Sequence, residues 1–102
     1  MRIRIRRVGG LAGNVALGAE LDTAQRPPEE AARLETAVDG LPWGAPAGTP
    51  PHPDAFRYEL DLLDQPDRGI AVLQETELAG DLEPLRVQLK EYGVVGPSRR
   101  PT

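Results

Sequence analysis

The chain contains no cysteine, and among its 102 residues it has a single histidine and a single serine. Without cysteine it can form neither a disulfide nor a thiolate metal site, and one histidine is too few for a zinc site of its own. A serine nucleophile needs a base held within hydrogen-bond reach, yet Ser98 lies in a tail with nothing to order it. We therefore expect no cofactor, no metal of its own, and either no catalysis or a mechanism that uses carboxylates alone.

Long apolar runs and an excess of positive charge are also lacking. No run approaches the ~20 residues of a membrane-spanning helix, and Met1–Arg6 carries arginines where a signal peptide needs a continuous apolar segment. The net charge of −4 and the isoelectric point near 4.9 disfavour a nucleic-acid-binding protein. We expect a cytoplasmic protein that binds neither membranes nor nucleic acids.

Hydrophobic residues nevertheless make up 39% of the chain, which is enough for one modest core. A length of 102 residues allows a single small domain. We predict one domain over residues 1–96 and a disordered tail over residues 97–102.

The spacing of apolar residues predicts two hairpins. Alternation begins at Ile3 and Ile5, stops at the glycine-rich segment Gly9–Asn14, and resumes over Val15–Leu21. A second alternating strand spans Phe56–Leu62, and a turn joins it to a β-branched strand over Ile70–Thr76.

Two helices complete the prediction. The first begins near Pro28 and ends at Gly40, and the second begins after Asp81 as its cap and ends at Gly93. The predicted fold is α+β, in which two antiparallel hairpins form a four-stranded sheet with two helices, in the order ββαββα.

A long connection, Gly40–Pro53, holds five prolines and three glycines around Trp43 and His52. Loops of this length in small domains are usually functional or disordered. If the first helix runs back toward the Gly9–Asn14 segment, then Asp54 and Asp81 reach that same end of the domain.

Several residues allow two interpretations. The arginines of the first strand are either an anion-binding stripe or the solvated face of an edge strand. Leu11 either fills a partner's pocket or packs on the sheet edge, and Trp43 either anchors a partner or covers the first helix. Asp54 is either an ordinary turn acid or a carboxylate that points outward beside Leu11, and His52 is best explained as an exposed loop histidine.

Taken together, these segments resemble the emfourin family, small bacterial protein inhibitors of thermolysin-like zinc metalloproteases such as protealysin. The resemblance covers Met1 to about Tyr92, and its strength lies in the order and spacing of several weak motifs. The matching segments are Arg2–Ile5 leading into Gly9–Gly13, Leu21–Thr23, Pro28–Leu34, Asp54–Leu60, and Pro84-Leu85.

The resemblance implies a non-catalytic inhibitor, a monomer when free, that places a loop carboxylate on the protease's zinc and an apolar side chain in a substrate subsite. Carried over by position, the protease-binding residues are Gly9, Gly10, Leu11, Ala12, Gly13, Trp43 and Asp54. Asp54 matches the acid before the third strand and is the expected zinc ligand, with Asp81 as the less favoured alternative.

Two other classes of function stay open. The chain could be an interaction domain with a different protein partner, or a hydrolase that uses carboxylates alone. The hydrolase is disfavoured because no acid pair stands out and the core is too small for a deep pocket.

Overall fold

The computed structural model describes residues 1–9, 15–44 and 56–97. The α+β class is confirmed, with one strand more than the sequence predicts. In chain order the elements are β1 (Arg2–Gly9), β2 (Val15–Asp22), α1 (Pro28–Asp39), β3 (Phe56–Leu62), β4 (Ile70–Gln74), α2 (Glu83–Tyr92) and β5 (Val94–Pro97).

The strands form one antiparallel sheet in the order β4-β3-β1-β2-β5, so β1 lies at its centre. Ile3 lies opposite Leu62 near one end of the sheet, and Gly9 lies opposite Phe56 at the other. These are called here the Met1 end and the Gly9 end.

One face of the sheet carries the core, because alternate residues of each strand point toward the two helices. Ile5 pairs with Leu60 on one side and with Ala19 on the other, which builds an apolar row across three strands. The buried cluster consists of Ile3, Ile5, Leu21, Leu34, Val38, Tyr58, Leu60, Leu62, Ala71, Leu73, Leu78, Leu82, Leu85 and Leu89.

The opposite face carries ion pairs between neighbouring strands. Arg4 makes a two-pronged contact with Asp61, from Nε at 3.1 Å and from Nη2 at 2.8 Å, and Arg6 Nη2 lies 2.8 Å from Glu59 Oε1. The edge-strand interpretation of these arginines is therefore wrong. They belong to the central strand, where each carboxylate partner lies on the adjacent strand.

Helix α1 begins at Pro28, whose fixed φ suits a first helical turn and whose missing N–H costs nothing there. Glu29 and Glu30 follow in the first turn, where negative charge is favourable. Leu34 and Val38, four residues apart, are fully buried and fix the helix to the sheet.

The direction of α1 differs from the prediction. Glu35 Oε2 accepts a hydrogen bond from Thr23 Oγ1 at 2.5 Å, and the Thr23 N–H donates to the Met1 carbonyl at 2.9 Å. After the helix, the Gly44 N–H donates at 3.1 Å to the carbonyl of Ile70, the first residue of β4. The helix thus crosses the core near the Met1 end, and the prediction that its exit lies beside the Gly9–Asn14 segment is wrong.

The C-terminal third also differs from the prediction in detail. β4 ends at Gln74, and a short 3-10 turn, Glu75–Glu77, replaces the predicted end of the strand. Asp81 lies inside a second 3-10 turn, so the residue that caps α2 is Leu82.

β5 is the strand that the sequence does not predict. It pairs with β2, with Val94 opposite Gly18 and Pro97 opposite Val15. A four-residue segment that ends in glycine and proline shows no alternation, so only its pairing partner makes it a strand.

In the described parts of the chain, neither helix combines the length and hydrophobicity that a membrane crossing requires.

Candidate functional site

The two segments singled out by the sequence meet the sheet at the same end. The glycine-rich segment leaves β1 at Gly9, and the proline-rich segment rejoins the sheet at Phe56. Gly9 and Phe56 are partners in the antiparallel register of β1 and β3. Because β3 is antiparallel to β1, the start of β3 must lie beside the end of β1.

A cluster of side chains lies at this end on the helix-covered face. The guanidinium of Arg7 stacks on the ring of Phe56, 4.5 Å from the centroid. Phe56 is 41% exposed, whereas Tyr58, the register partner of Arg7, is only 3% exposed. The cluster therefore has a buried base and an exposed rim.

The Tyr58 hydroxyl stays protonated in this setting. Burial raises its pKa above the ordinary value, and the negative charge of Glu75 acts in the same direction. A hydrogen bond from Arg7 and the positive charges of Arg7 and Arg86 act against these effects. Tyr58 is consequently a neutral, buried side chain beside Arg7.

Most of the predicted contact residues cannot be located in the structure. Gly10, Leu11, Ala12, Gly13 and Asp54 lie outside the described residues. What the structure does give is the position of the two strand ends to which they are covalently attached.

Trp43 lies at the opposite end of the sheet. Its indole N–H donates to the Val38 carbonyl at 2.8 Å, and the ring packs against the core. On its other side the guanidinium of Arg68 stacks 5.2 Å from the ring centroid. Arg68 belongs to the turn between β3 and β4, so the structure does not bring Trp43 to Gly9 and Phe56.

Asp81 lies in a groove between the two helices. One of its carboxylate oxygens is 4.0 Å from Arg33 Nε of α1. The groove has a volume of about 590 Å³, and Pro27 and Glu29 line it from the N-terminal end of α1. Asp81 thus faces α1 rather than the Gly9–Phe56 pair.

The described residues contain no cluster of three or more histidine, cysteine, aspartate or glutamate side chains that could hold a metal ion.

Sequence reasoning missed the contact between Arg7 and Phe56. The only signal available was that Arg7 interrupts the alternation of isoleucine and arginine, which places it on the face of the apolar residues.

Comparison with models of protein families matches residues 5–90 to the emfourin family. Comparisons with curated proteins and with solved structures give no match. The match covers most of the chain, so this protein belongs to the emfourin family, as the order of its motifs predicted. The family is one of metalloprotease inhibitors, which makes a protease the expected kind of partner and the role a non-catalytic one.

Proposed function

We propose that this protein inhibits a thermolysin-like zinc metalloprotease by inserting the segments attached at the Gly9 end of the sheet into the active-site cleft. The register pairing of Gly9 with Phe56 carries the proposal, because it brings the attachment points of both segments together. Asp54 precedes Phe56 by two residues, and two residues span at most about 7 Å.

The chemical role of Asp54 is to supply a carboxylate oxygen to the protease's zinc. A carboxylate binds zinc at about 2.0–2.2 Å and can occupy the position that a catalytic site keeps open for water. Displacing that water removes the nucleophile of hydrolysis. A side chain in that position presents no scissile carbonyl, so the inhibitor remains intact.

Leu11 supplies the second contact, an apolar side chain for a substrate subsite. It stands two residues beyond Gly9, on the other segment attached at this end. An acid and an apolar side chain on adjacent segments imitate a bound substrate without being cleaved.

The test is a titration of a thermolysin-like protease with the wild-type protein, using hydrolysis of a fluorogenic peptide as the readout. We expect competitive inhibition, mutually exclusive binding of the protein and a small zinc-ligating hydroxamate in a double-inhibition assay, and an inhibitor that stays uncleaved by mass spectrometry. Asp54→Asn should raise Ki by at least about 30-fold, which corresponds to the ~2 kcal/mol that defines an interface hot spot.

Asp67→Asn is the matched control, because Asp67 is an exposed acid in the turn between β3 and β4, at the Met1 end. It should inhibit as well as the wild type does. A large loss of inhibition for Asp81→Asn with none for Asp54→Asn would indicate that Asp81, in the groove between the helices, is the zinc ligand. Absence of inhibition by the wild-type protein at micromolar concentration against its cognate thermolysin-like protease would favour an interaction domain with a different partner.

A further inference from the structure

Arg7 differs from the other arginines of β1 in having no carboxylate partner among the described residues. Arg2, Arg4 and Arg6 each lie within 3.6 Å of a glutamate or aspartate oxygen. No described carboxylate lies within 4.0 Å of Arg7, whose guanidinium lies over the ring of Phe56 and whose register partner on β3 is Tyr58.

Stacking on Phe56 orients this guanidinium, and Arg7 is partly exposed. Arginine carries five N–H donors in a rigid fork, and a stacked arginine still presents that fork at its rim. Phe56 is itself 41% exposed, so the pair is accessible from solvent at the Gly9 end. An oriented cation with no carboxylate partner among the residues that the structure describes is well suited to bind a carboxylate in two-pronged geometry.

The location of the pair makes it part of the surface described above. Phe56 is the register partner of Gly9, and Arg7 is two residues before Gly9 on β1. Any protein that engages both segments at this end therefore approaches the Arg7–Phe56 pair. Because the chain as a whole carries a net charge of −4, this cation is a local feature and not part of a generally basic protein.

We propose that the Arg7–Phe56 pair is a third contact in the inhibitor–protease interface, in which Arg7 binds a carboxylate on the rim of the protease's cleft. The inference rests on the proposed function, and it adds a rigid contact on the sheet to the two on the connecting segments. The Phe56 ring shields the ion pair from water on one side, which strengthens it relative to an open surface pair.

The experiment measures Ki and the association rate for wild type, Arg7→Met and Arg7→Lys at about 20 mM and 300 mM salt. Arg7→Met keeps the length of the side chain and removes the charge, whereas Arg7→Lys keeps the charge and loses the fork. Arg2→Met is the matched control, because it removes a cation from the opposite end of the same strand.

We expect Arg7→Met to raise Ki at low salt by about tenfold or more, to slow association, and to weaken the salt dependence of Ki. Arg7→Lys should retain the salt dependence with a smaller loss of affinity, and Arg2→Met should stay within about twofold of wild type. Thermal unfolding of each variant shows whether Arg7 is needed only to hold Phe56 and Tyr58 in place.

Three outcomes overturn the inference. One is an Arg7→Met variant that inhibits as wild type does, and another is a Ki for wild type that does not change with salt. The third is a loss of affinity in Arg7→Met with an unchanged salt dependence, which indicates a structural role. Failure of wild type to inhibit at all overturns the proposed function as well, and so is distinguished from failure of this contact alone.

Discussion

Gly9, the last residue of β1, lies directly opposite Phe56, the first residue of β3. The glycine-rich segment leaves the sheet at Gly9, and the proline-rich segment rejoins the sheet at Phe56. The antiparallel pairing of the central strands therefore brings together two strand ends that are 47 residues apart in sequence, and these are the attachment points of the proposed binding segments. The predictions below separate the residues that act at this end from those that maintain the fold.

Leu11→Ala is expected to weaken inhibition while leaving the fold intact. Loss of an apolar anchor from a pocket costs roughly 1–3 kcal/mol, which corresponds to about a 5- to 150-fold increase in Ki. The measurement pairs Ki with the melting temperature of the free protein. A lowered melting temperature with unchanged Ki would show that Leu11 packs on the sheet instead.

Trp43→Ala is expected to give the opposite pattern. The partly buried ring packs against the core and donates a hydrogen bond to the Val38 carbonyl, and removing an aromatic side chain from a core costs up to about 3–5 kcal/mol. Urea unfolding should therefore show a large loss of stability, whereas Ki measured well below the melting temperature should not change. A rise in Ki in the folded variant would show that Trp43 contacts the protease.

Gly93→Ala is expected to destabilise the protein because there is no space for a methyl group. A Cβ at this position would lie 2.3 Å from the Leu89 carbonyl oxygen and 2.8 Å from Leu17 Cγ. Overpacking of this kind costs about 1–3 kcal/mol. It would also disturb the junction at which α2 passes into β5.

Gly40→Ala is the control for that substitution. Its Cβ would lie 3.7 Å from the nearest carbonyl oxygen, and the φ of −81° suits alanine. Here the melting temperature should stay constant or rise slightly. Equal effects at the two glycines would rule out the steric explanation for Gly93.

Stability is expected to fall at alkaline pH through Tyr58. Burial raises the pKa of its hydroxyl in the folded state above the ordinary value of 10.0. A group whose folded pKa is raised contributes stability that is fully present below its unfolded pKa and is lost as pH rises through the folded value. The melting temperature should therefore be level from pH 8 to about 9.5 and should decline above pH 10.

Tyr58→Phe removes the ionisable group and should flatten part of that decline. Tyr92→Phe, at a side chain that is 66% exposed, is the matched substitution and should leave the alkaline decline as it is in wild type. If both variants retain the full decline, another group causes it.

Much of the secondary structure could be predicted from local patterns. The bounds of β3, Phe56–Leu62, follow from strict alternation, and α1 lies between Pro28 and Gly40 as the turn residues indicate. These features can be read locally because the direction of the side chains repeats every two residues in a strand and about every 3.6 residues in a helix. Glycine density and the acid before β3 likewise mark the two segments of the candidate site, whose contact with a protease stays a prediction.

The prediction that β3 begins at the Gly9 end is confirmed, but the reason given for it was wrong. The sequence argument used α1 to return the chain to the Gly9 end, yet α1 ends near Ile70 at the Met1 end. It is the antiparallel pairing of β1 with β3 that places Phe56 beside Gly9. Neither strand's sequence shows which other strand it pairs with. The sequence therefore could not tell whether α1 or the pairing of β1 with β3 brings the start of β3 to the Gly9 end.

The sequence by itself determined the α+β class, the elements of both hairpins, the extent of α1 and the exclusion of thiol chemistry, because composition and periodicity are properties of short stretches of chain. Only the tertiary structure decided that β1 is central, that Val94–Pro97 is a strand, that Trp43 packs at the Met1 end, and that Arg7 stacks on Phe56. Each of these depends on contacts between residues far apart in sequence, whose partners are selected by the packing of the whole domain.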